Sequence, residues 1–599
     1  MCVAKKEGRM SPRKRRSFLA LATATAASLA GCSTSSTPGN DPTADVPTDL
    51  PTTAPPGSLV DDWQFDPADI GQGGGSGSKG GSGGGNVTYT AQTSAGNAVG
   101  LAAGGAKDVN NFRQNVKEGF LPLPSDMPYE GLFYDYYFDT GSAGDCDSLF
   151  CPRYAPAISA DPLSGETERY LSVGLNSGLD AADFERKRLN FVVVLDVSGS
   201  MGSAFDEYHY DQDGGEETDD TRPKIEVARD ALASLTEQLR PGDRFGVVLY
   251  NNQATVAKPL NPVETTDMDA IRGHIEADID AGGGTNLSAG LDEASALFDD
   301  VADADPDVYE NRIAVLTDAM PNLGDTSENG LESRLETEAG RGVHSTFVGV
   351  GVDFNTEIID AITSVRGANH YSVHSADEFE QRLTDGFEYM VTPLVFDLSL
   401  ELDATGYEIE TVYGSSAAEE STGEVMHVNT LFASDREDGE TRGGVVLAKL
   451  RQTGESGSLQ LRASWEDRAG ETNETTATVT FPDGGPEQFA DTGVRKAVLL
   501  TRYADLCRNW AVAMREDDGD PPDDGITPVD YDDLGRWERQ STDLTVSPEY
   551  AERFESFADY FESEMAEIGD DSLSRELTVL EQLADAGVTT RRFGRLLER

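Results

Sequence analysis

The chain has 599 residues, enough for several domains, and carries a formal charge of −61 from 108 acidic and 47 basic side chains. This excess of acid argues against nucleic acid as a partner, because binding to phosphates needs a basic surface. The acid is spread along the chain among clear buried-strand patterns, which indicates a folded protein and not a disordered one. Because salt screens self-repulsion, the composition predicts a halophilic protein.

Residues 1–31 are a predicted targeting segment and not part of a folded domain. Arg15 and Arg16, followed by an apolar stretch that ends at Ala30, resemble a twin-arginine export signal. The sequence Leu-Ala-Gly-Cys at 29–32 resembles a lipoprotein cleavage box, which predicts lipidation of Cys32 and attachment to the outer surface of the cell membrane. A plain signal peptide with an incidental cysteine is the alternative.

Residues 32–86 are rich in Ser, Thr, Pro and Gly, a composition that predicts a disordered tether. Residues 87–187 are a predicted N-terminal flanking region. It contains a short helix stopped by Gly119, an aromatic strand at 131–138 and a further strand at 169–175.

Cys146 and Cys151 flank a short loop, and outside the cell such a pair is expected to form a local disulfide. A zinc site would need two more soft or imidazole ligands, and none lies close in the sequence.

Polar side chains follow a run of apolar residues at 191–195, which predicts a strand buried on both faces as in a parallel sheet. Asp196, Ser198 and Ser200 come at its carboxyl end, where open α/β sheets bind ligands. Downstream, a glycine turn leads to Thr285 at the start of a helix, and a second buried strand ends at Asp318. Carboxylate and hydroxyl oxygens suit Mg²⁺ and not a soft metal.

This set of residues closely resembles the metal-ion-dependent adhesion site, or MIDAS, of von Willebrand factor type A (VWA) domains. By that resemblance Ser198, Ser200 and Thr285 would contact the metal directly, whereas Asp196 and Asp318 would act directly or through water. The resemblance implies a bound Mg²⁺, with Mn²⁺ or Ca²⁺ as alternatives, and a carboxylate from a protein partner in an open coordination position. A Ser/Gly loop after an ordinary strand is the simpler alternative.

Residues 188–392 alternate strands and helices, the pattern of a doubly wound, Rossmann-like VWA domain. Predicted helices lie at 223–239, 268–279, 287–298, 331–340, 354–366 and 376–390, and further strands at 244–250 and 343–350. The acidic insert 206–221 is predicted to be a solvated loop. A rim that selects partners or holds a second cation is the alternative reading.

Strand patterns with a period of two dominate residues 393–485 and predict a β-sandwich-like region, and residues 486–599 carry the patterns of a C-terminal helical region. The predicted fold class is therefore multidomain α/β plus β. The β-segments before and after the VWA domain are expected to pack as one body, since the strands at 131–138 and 169–175 need a sheet to join.

The order of segments resembles a family of bacterial VWA-domain lipoproteins, some labelled calcium-activated chloride-channel homologues. That resemblance implies a lipid-anchored surface protein that binds a divalent cation and captures an exposed acidic residue of a protein partner, in adhesion or complex assembly. A structural or assembly factor with metal-independent partner binding is the alternative. A metal-assisted hydrolase is less favoured, and no enzymatic activity is expected, because we find no nucleophile–base pair.

Overall fold

The computed structural model describes fifteen ranges of the chain: 59–67, 98–107, 109–141, 148–180, 184–204, 222–302, 304–318, 328–351, 364–373, 386–404, 406–415, 425–454, 458–482, 485–515 and 542–597. The targeting segment, Cys32, most of the tether, Cys146 and the whole acidic insert 206–221 lie outside these ranges. So do most residues of the predicted helices at 354–366 and 376–390. Residues 59–67, inside the predicted disordered tether, are packed: Phe65 is buried, and the Gln64 amide donates to the Ala257 carbonyl at 2.8 Å.

The strands follow in chain order: β1 (Ala98–Ala103), β2 (Gly105–Ala106), β3 (Tyr137–Phe138), β4 (Arg153–Ala160), β5 (Thr167–Gly174), β6 (Asn176–Asp180), β7 (Arg188–Asp196), β8 (Arg244–Tyr250), β9 (Ala254–Pro262), β10 (Tyr309–Thr317), β11 (Val343–Val350), β12 (Asn369–Val373), β13 (Pro393–Ala404), β14 (Tyr407–Tyr413), β15 (Val425–Ser434), β16 (Arg436–Glu437), β17 (Glu440–Arg442), β18 (Val445–Gln452), β19 (Ser458–Asp467), β20 (Thr472–Thr480) and β21 (Gln488–Phe489). The α-helices are α1 (Asn110–Glu118), α2 (Tyr129–Tyr134), α3 (Lys224–Glu237), α4 (Met268–Asp278), α5 (Leu287–Leu297), α6 (Glu328–Gly340), α7 (Phe387–Met390), α8 (Thr492–Arg515), α9 (Pro548–Ile568) and α10 (Ser574–Leu597). Within the described residues, no helix is both long enough and apolar enough to cross a membrane.

The central sheet has seven strands in the order β2-β12-β11-β10-β7-β8-β9. All neighbours are parallel except β8 and β9, which are antiparallel. Alternate residues of β7 belong to two different cores, because Phe191 and Val193 face α3 and α4 whereas Val192 and Val194 face α5 and α6. The sheet is therefore buried on both faces, as the apolar run in the sequence predicts.

The register of the central sheet aligns the ends of its middle strands. Asp196 of β7 lies opposite Tyr250 of β8, and Leu195 lies opposite Leu316 of β10. Because parallel strands finish at one edge of a sheet, the loops that follow β7 and β10 meet there. The antiparallel edge strand β9 was not predicted from the sequence, where its half-buried residues show no clear strand pattern.

Two antiparallel sheets outside the central domain share one hydrophobic core. One has six strands in the order β20-β19-β13-β15-β1-β6, and the other has five in the order β14-β18-β5-β4-β21. In both, strands from before and after the central domain pair directly, β1 with β15 and β5 with β18. The expectation that the two β-segments form one body is confirmed. The N-terminal flank also supplies β2 to the edge of the central sheet.

The C-terminal helices α8, α9 and α10 pack with α1 and α2 of the N-terminal flank around a fourth core, in which Phe112, Trp510 and Phe554 are fully buried. The edge-on ring contacts of Trp510 with Phe112 and Phe554 join these segments. Helices from opposite ends of the sequence therefore stabilise one another.

The predicted aromatic strand at 131–138 is wrong. Its first half belongs to α2, and only Tyr137–Phe138 pairs as a strand. Pro128 precedes the helix and Glu130 lies in its first turn, both of which favour a helix start. Burial of Leu132 and Phe133 against α8 overrides the β-propensity of the aromatic residues.

Candidate metal centre

Asp196 lies at the carboxyl end of β7, is fully buried, and accepts hydrogen bonds from three residues. The Ser198 amide donates to Oδ1 at 2.8 Å. The hydroxyls of Tyr250 and Thr317 donate to Oδ2 at 2.9 and 2.7 Å. Tyr250 and Thr317 end the neighbouring strands β8 and β10, so the parallel register brings both donors to this carboxylate. Sequence reasoning missed these two residues because only the pairing of strands places them here.

Hydrogen bonds between side-chain oxygen atoms connect the loop after β7 to the residue that follows β10. The hydroxyls of Ser198 and Ser200 share a hydrogen bond of 3.0 Å. The Ser200 hydroxyl then donates to Oδ1 of Asp318 at 3.1 Å. All three side chains are buried. The structure therefore brings together Asp196, Ser198, Ser200 and Asp318, which are far apart in the sequence.

The glycine turn before α5 docks Thr285 against the same edge. The Gly199 amide donates to the Gly283 carbonyl at 3.0 Å, and the Gly282 amide donates to the Val197 carbonyl at 2.7 Å. These two bonds hold the turn against the loop of Ser198 and Ser200. Thr285 is only 2% exposed as a result.

Two asparagines that follow β8 hydrogen-bond to the backbone of the same glycine turn. The Asn251 side chain donates to the Gly282 carbonyl at 2.9 Å, and Oδ1 of Asn252 accepts from the Gly284 amide at 2.8 Å. Gly283 has φ +94, and a Cβ there would lie 2.4 Å from Oδ1 of Asn252. A glycine is therefore required at this position.

A lysine that sequence reasoning did not single out lies in the same centre. Lys224, the first residue of α3, places Nζ 3.5 Å from Oδ2 of Asp318, and both side chains are fully buried. The sequence signal was weak, because a lysine at the start of an amphipathic helix is ordinarily solvated.

A family model of the von Willebrand factor type A domain matches residues 191–320. The chain contains a VWA domain. The matched residues include all five predicted ligands, and the alternation of central strands and covering helices is the one expected of this fold.

Known proteins resemble parts of the chain. Inter-alpha-trypsin inhibitor heavy chain H4 of Homo sapiens is 26% identical over 223 residues, which are 37% of this chain and 22% of that protein. The chain thus spans about a fifth of the length of this relative. Among solved structures, a von Willebrand factor type A protein from Catenulispora acidiphila is 14% identical, with a TM-score of 0.38 over 64% of this chain and 84% of its own. Proximal thread matrix protein 1 from the mussel byssus, with a zinc-occupied MIDAS motif, is 18% identical, with a TM-score of 0.25 over 34% of this chain and 46% of its own.

We call Asp196, Ser198, Ser200, Thr285 and Asp318 with their contacts the VWA centre. Burial is the largest cause of the pKa shifts of Asp196 and Tyr250 in this centre. Burial raises the pKa of Asp196, and the hydrogen bonds from Ser198, Thr317 and Tyr250 oppose that rise. Burial and the nearby Asp196 carboxylate also hold the pKa of Tyr250 well above its usual value, so the phenol stays protonated and acts as a donor. A bound cation would stabilise the ionised carboxylates in this interior.

The donor set fits a hard cation. It consists of two carboxylates and three hydroxyls, and the ligand preferences of Mg²⁺ favour such oxygen atoms. Across the described ranges, no group of three or more Cys, His, Asp or Glu side chains is placed to hold a metal. A cation in this centre would therefore depend on the hydroxyls of Ser198, Ser200 and Thr285 as well as on the two aspartates.

Of the three cysteines with a predicted role, only Cys151 lies in the described ranges. Cys151 is disulfide-bonded, whereas Cys146, its predicted partner, lies outside the described ranges, as does Cys32. Cys507 is a free, buried thiol inside α8.

Proposed function

We propose that the protein is an exported, lipid-anchored surface protein of a halophile, whose VWA domain binds a divalent cation at a MIDAS and captures a carboxylate of a protein partner. VWA domains mediate protein–protein interaction or adhesion and commonly hold a divalent metal. The observation that carries the proposal is the bonded chain from Ser198 through Ser200 to Asp318, next to Asp196 at the same sheet edge.

The proposed ligands are Ser198, Ser200 and Thr285, with Asp196 and Asp318 acting directly or through water. Mg²⁺ is the proposed cation, because it retains several waters and accepts few protein carboxylates. Such a centre keeps a coordination position for a partner's acidic side chain. We propose binding and no enzymatic activity, since the described donors of the centre are hard oxygen ligands without an imidazole or a thiolate.

The finer architecture is also part of the proposal. Two antiparallel sheets with one shared core support a β-sandwich-like body, and α8 to α10 support a C-terminal helical region. The twin-arginine pattern and the Leu-Ala-Gly-Cys sequence at 29–32 support export and lipidation of Cys32. In this arrangement the part of the predicted tether before residue 59 would link the VWA domain to the membrane surface, because residues 59–67 pack on that domain, with Phe65 in the core that α3 and α4 line.

Calorimetric titration with Mg²⁺ in concentrated KCl tests the metal centre. We expect the purified protein to bind Mg²⁺ and the double variant Asp196→Asn with Asp318→Asn to lose binding by at least tenfold. The matched control is Asp269→Asn with Asp299→Asn, which removes two carboxylates with exposed side chains and should leave the affinity unchanged. Equal affinity in all three proteins would contradict the proposal and favour a structural factor whose partner binding needs no metal.

A further inference from the structure

Lys224 occupies a position that ordinary helix energetics do not explain. It is the first residue of α3, where the helix dipole favours an anion and disfavours a cation. Its side chain is also fully buried, and burial of an ammonium group is costly unless a counter-ion compensates. The Asp318 carboxylate, 3.5 Å away and equally buried, supplies that counter-charge.

The surrounding backbone is shaped to hold this lysine. Gly351, directly after β11, has φ +96, and a Cβ there would lie 2.6 Å from Cε of Lys224. The absence of a side chain at Gly351 therefore leaves room for the lysine stem. At its other end, the Lys224 amide donates to the Ser203 carbonyl at 3.0 Å, which ties the helix start to the loop that follows Ser200.

The Asp318 carboxylate is shared between the lysine and the predicted ligand set. Oδ1 accepts from the Ser200 hydroxyl at 3.1 Å, and Oδ2 faces the lysine ammonium. Lys224 therefore brings one buried positive charge next to the two buried carboxylates of Asp196 and Asp318.

We propose that Lys224 is a built-in counter-charge of the VWA centre. As a positioning residue it balances Asp318 when no divalent cation is bound, and it repels a cation that binds. The metal-free domain is consequently a stable folded state, and the cation binds reversibly, so that the level of free divalent cation controls partner capture. The cation-binding part of this inference rests on the proposed function, whereas the charge-balance part does not.

The charge-balance part is tested in protein stripped of divalent cations with a chelator, by thermal unfolding in concentrated KCl. We expect Lys224→Met and Asp318→Asn each to lower the melting temperature, because each removes one charge of a buried ion pair. The double variant should recover much of that loss, because neither group remains. Losses that simply add in the double variant, or a Lys224→Met protein as stable as the original, would overturn the proposal.

The cation part is tested by calorimetric titration with Mg²⁺. Loss of the buried positive charge should tighten Mg²⁺ binding in Lys224→Met on the order of tenfold, since charges in an interior interact strongly and salt screens them little. Lys224→Arg keeps the charge and should bind as the original protein does. Lys117→Met, at a largely exposed position, controls for net charge.

The outcomes separate the two proposals. Unchanged or weaker Mg²⁺ binding in Lys224→Met, with binding intact in the original protein, would refute the counter-charge role alone. Failure of the original protein to bind Mg²⁺ would refute the proposed metal function. In that case the recovery of stability in the Lys224→Met, Asp318→Asn double variant still decides whether the lysine balances Asp318.

Discussion

Replacement of Tyr250 by Phe isolates one hydrogen bond in the VWA centre. The ring should keep its place, because it is fully buried and packs so closely on Gly290 that a Cβ there would lie 2.9 Å from the ring. Only the hydroxyl is lost, and with it the 2.9 Å bond that it donates to Oδ2 of Asp196; the Thr317 hydroxyl, 3.0 Å away, keeps its own bond to the same oxygen.

A hydrogen bond to a charged group contributes roughly 1.5–3 kcal/mol to the free energy of unfolding. Thr317 still donates to Asp196 in the variant, so we expect a loss near the middle of that range, about 2 kcal/mol. For a cooperative unit of VWA size this corresponds to a fall in melting temperature of roughly 4–8 °C.

The assay is thermal and urea unfolding of the metal-free protein in concentrated KCl, with Tyr250→Phe measured both alone and in an Asp196→Asn background. Because the acceptor is then neutral, the cost of Tyr250→Phe in that background should fall to about 1 kcal/mol. The same cost in both backgrounds would refute the reasoning that the bond to the Asp196 carboxylate carries the effect.

Three further predictions concern buried charge and anchoring. Asp243→Ala should destabilise the protein by about 3–5 kcal/mol in urea unfolding, because it leaves the fully buried Arg186 unpaired; a cost below about 1 kcal/mol would contradict this. Burial opposes ionisation of Glu310, but the nearby charge of His344 lowers the pKa of Glu310 from 4.5 to about 2. The ionised Glu310 therefore stabilises the folded protein above about pH 4.5, and this stabilisation is lost as the pH falls toward 2. In Glu310→Gln the free energy of unfolding should therefore fall less steeply between pH 4.5 and 2. An unchanged fall in this pH range would contradict the stabilising role of ionised Glu310. Cys32→Ser should move the protein from the membrane fraction to the medium, and retention in the membrane would argue against a lipid anchor.

The sequence alone determined the presence of the VWA domain and the positions of its five candidate ligands. Buried strands carry a strong local signal, since an apolar run that stops at Asp196 or at a polar pair such as Thr317 and Asp318 marks both the strand and its end. The four predicted VWA helices that begin at 223, 268, 287 and 331 lie in the described ranges, and their observed ends are within a few residues of those predicted from the 3.6-residue spacing of apolar residues.

Only the tertiary structure decided which other side chains join the centre. Tyr250 and Thr317 reach Asp196 through strand register, and Lys224 reaches Asp318 because Gly351 leaves space for it. Tertiary packing also made α2 a helix, although its aromatic residues favour a strand. It likewise paired β1 with β15, which lie on opposite sides of the VWA domain in the sequence. Contacts between segments distant in the chain have no local signature, because burial and charge balance are properties of the assembled fold and not of any one segment.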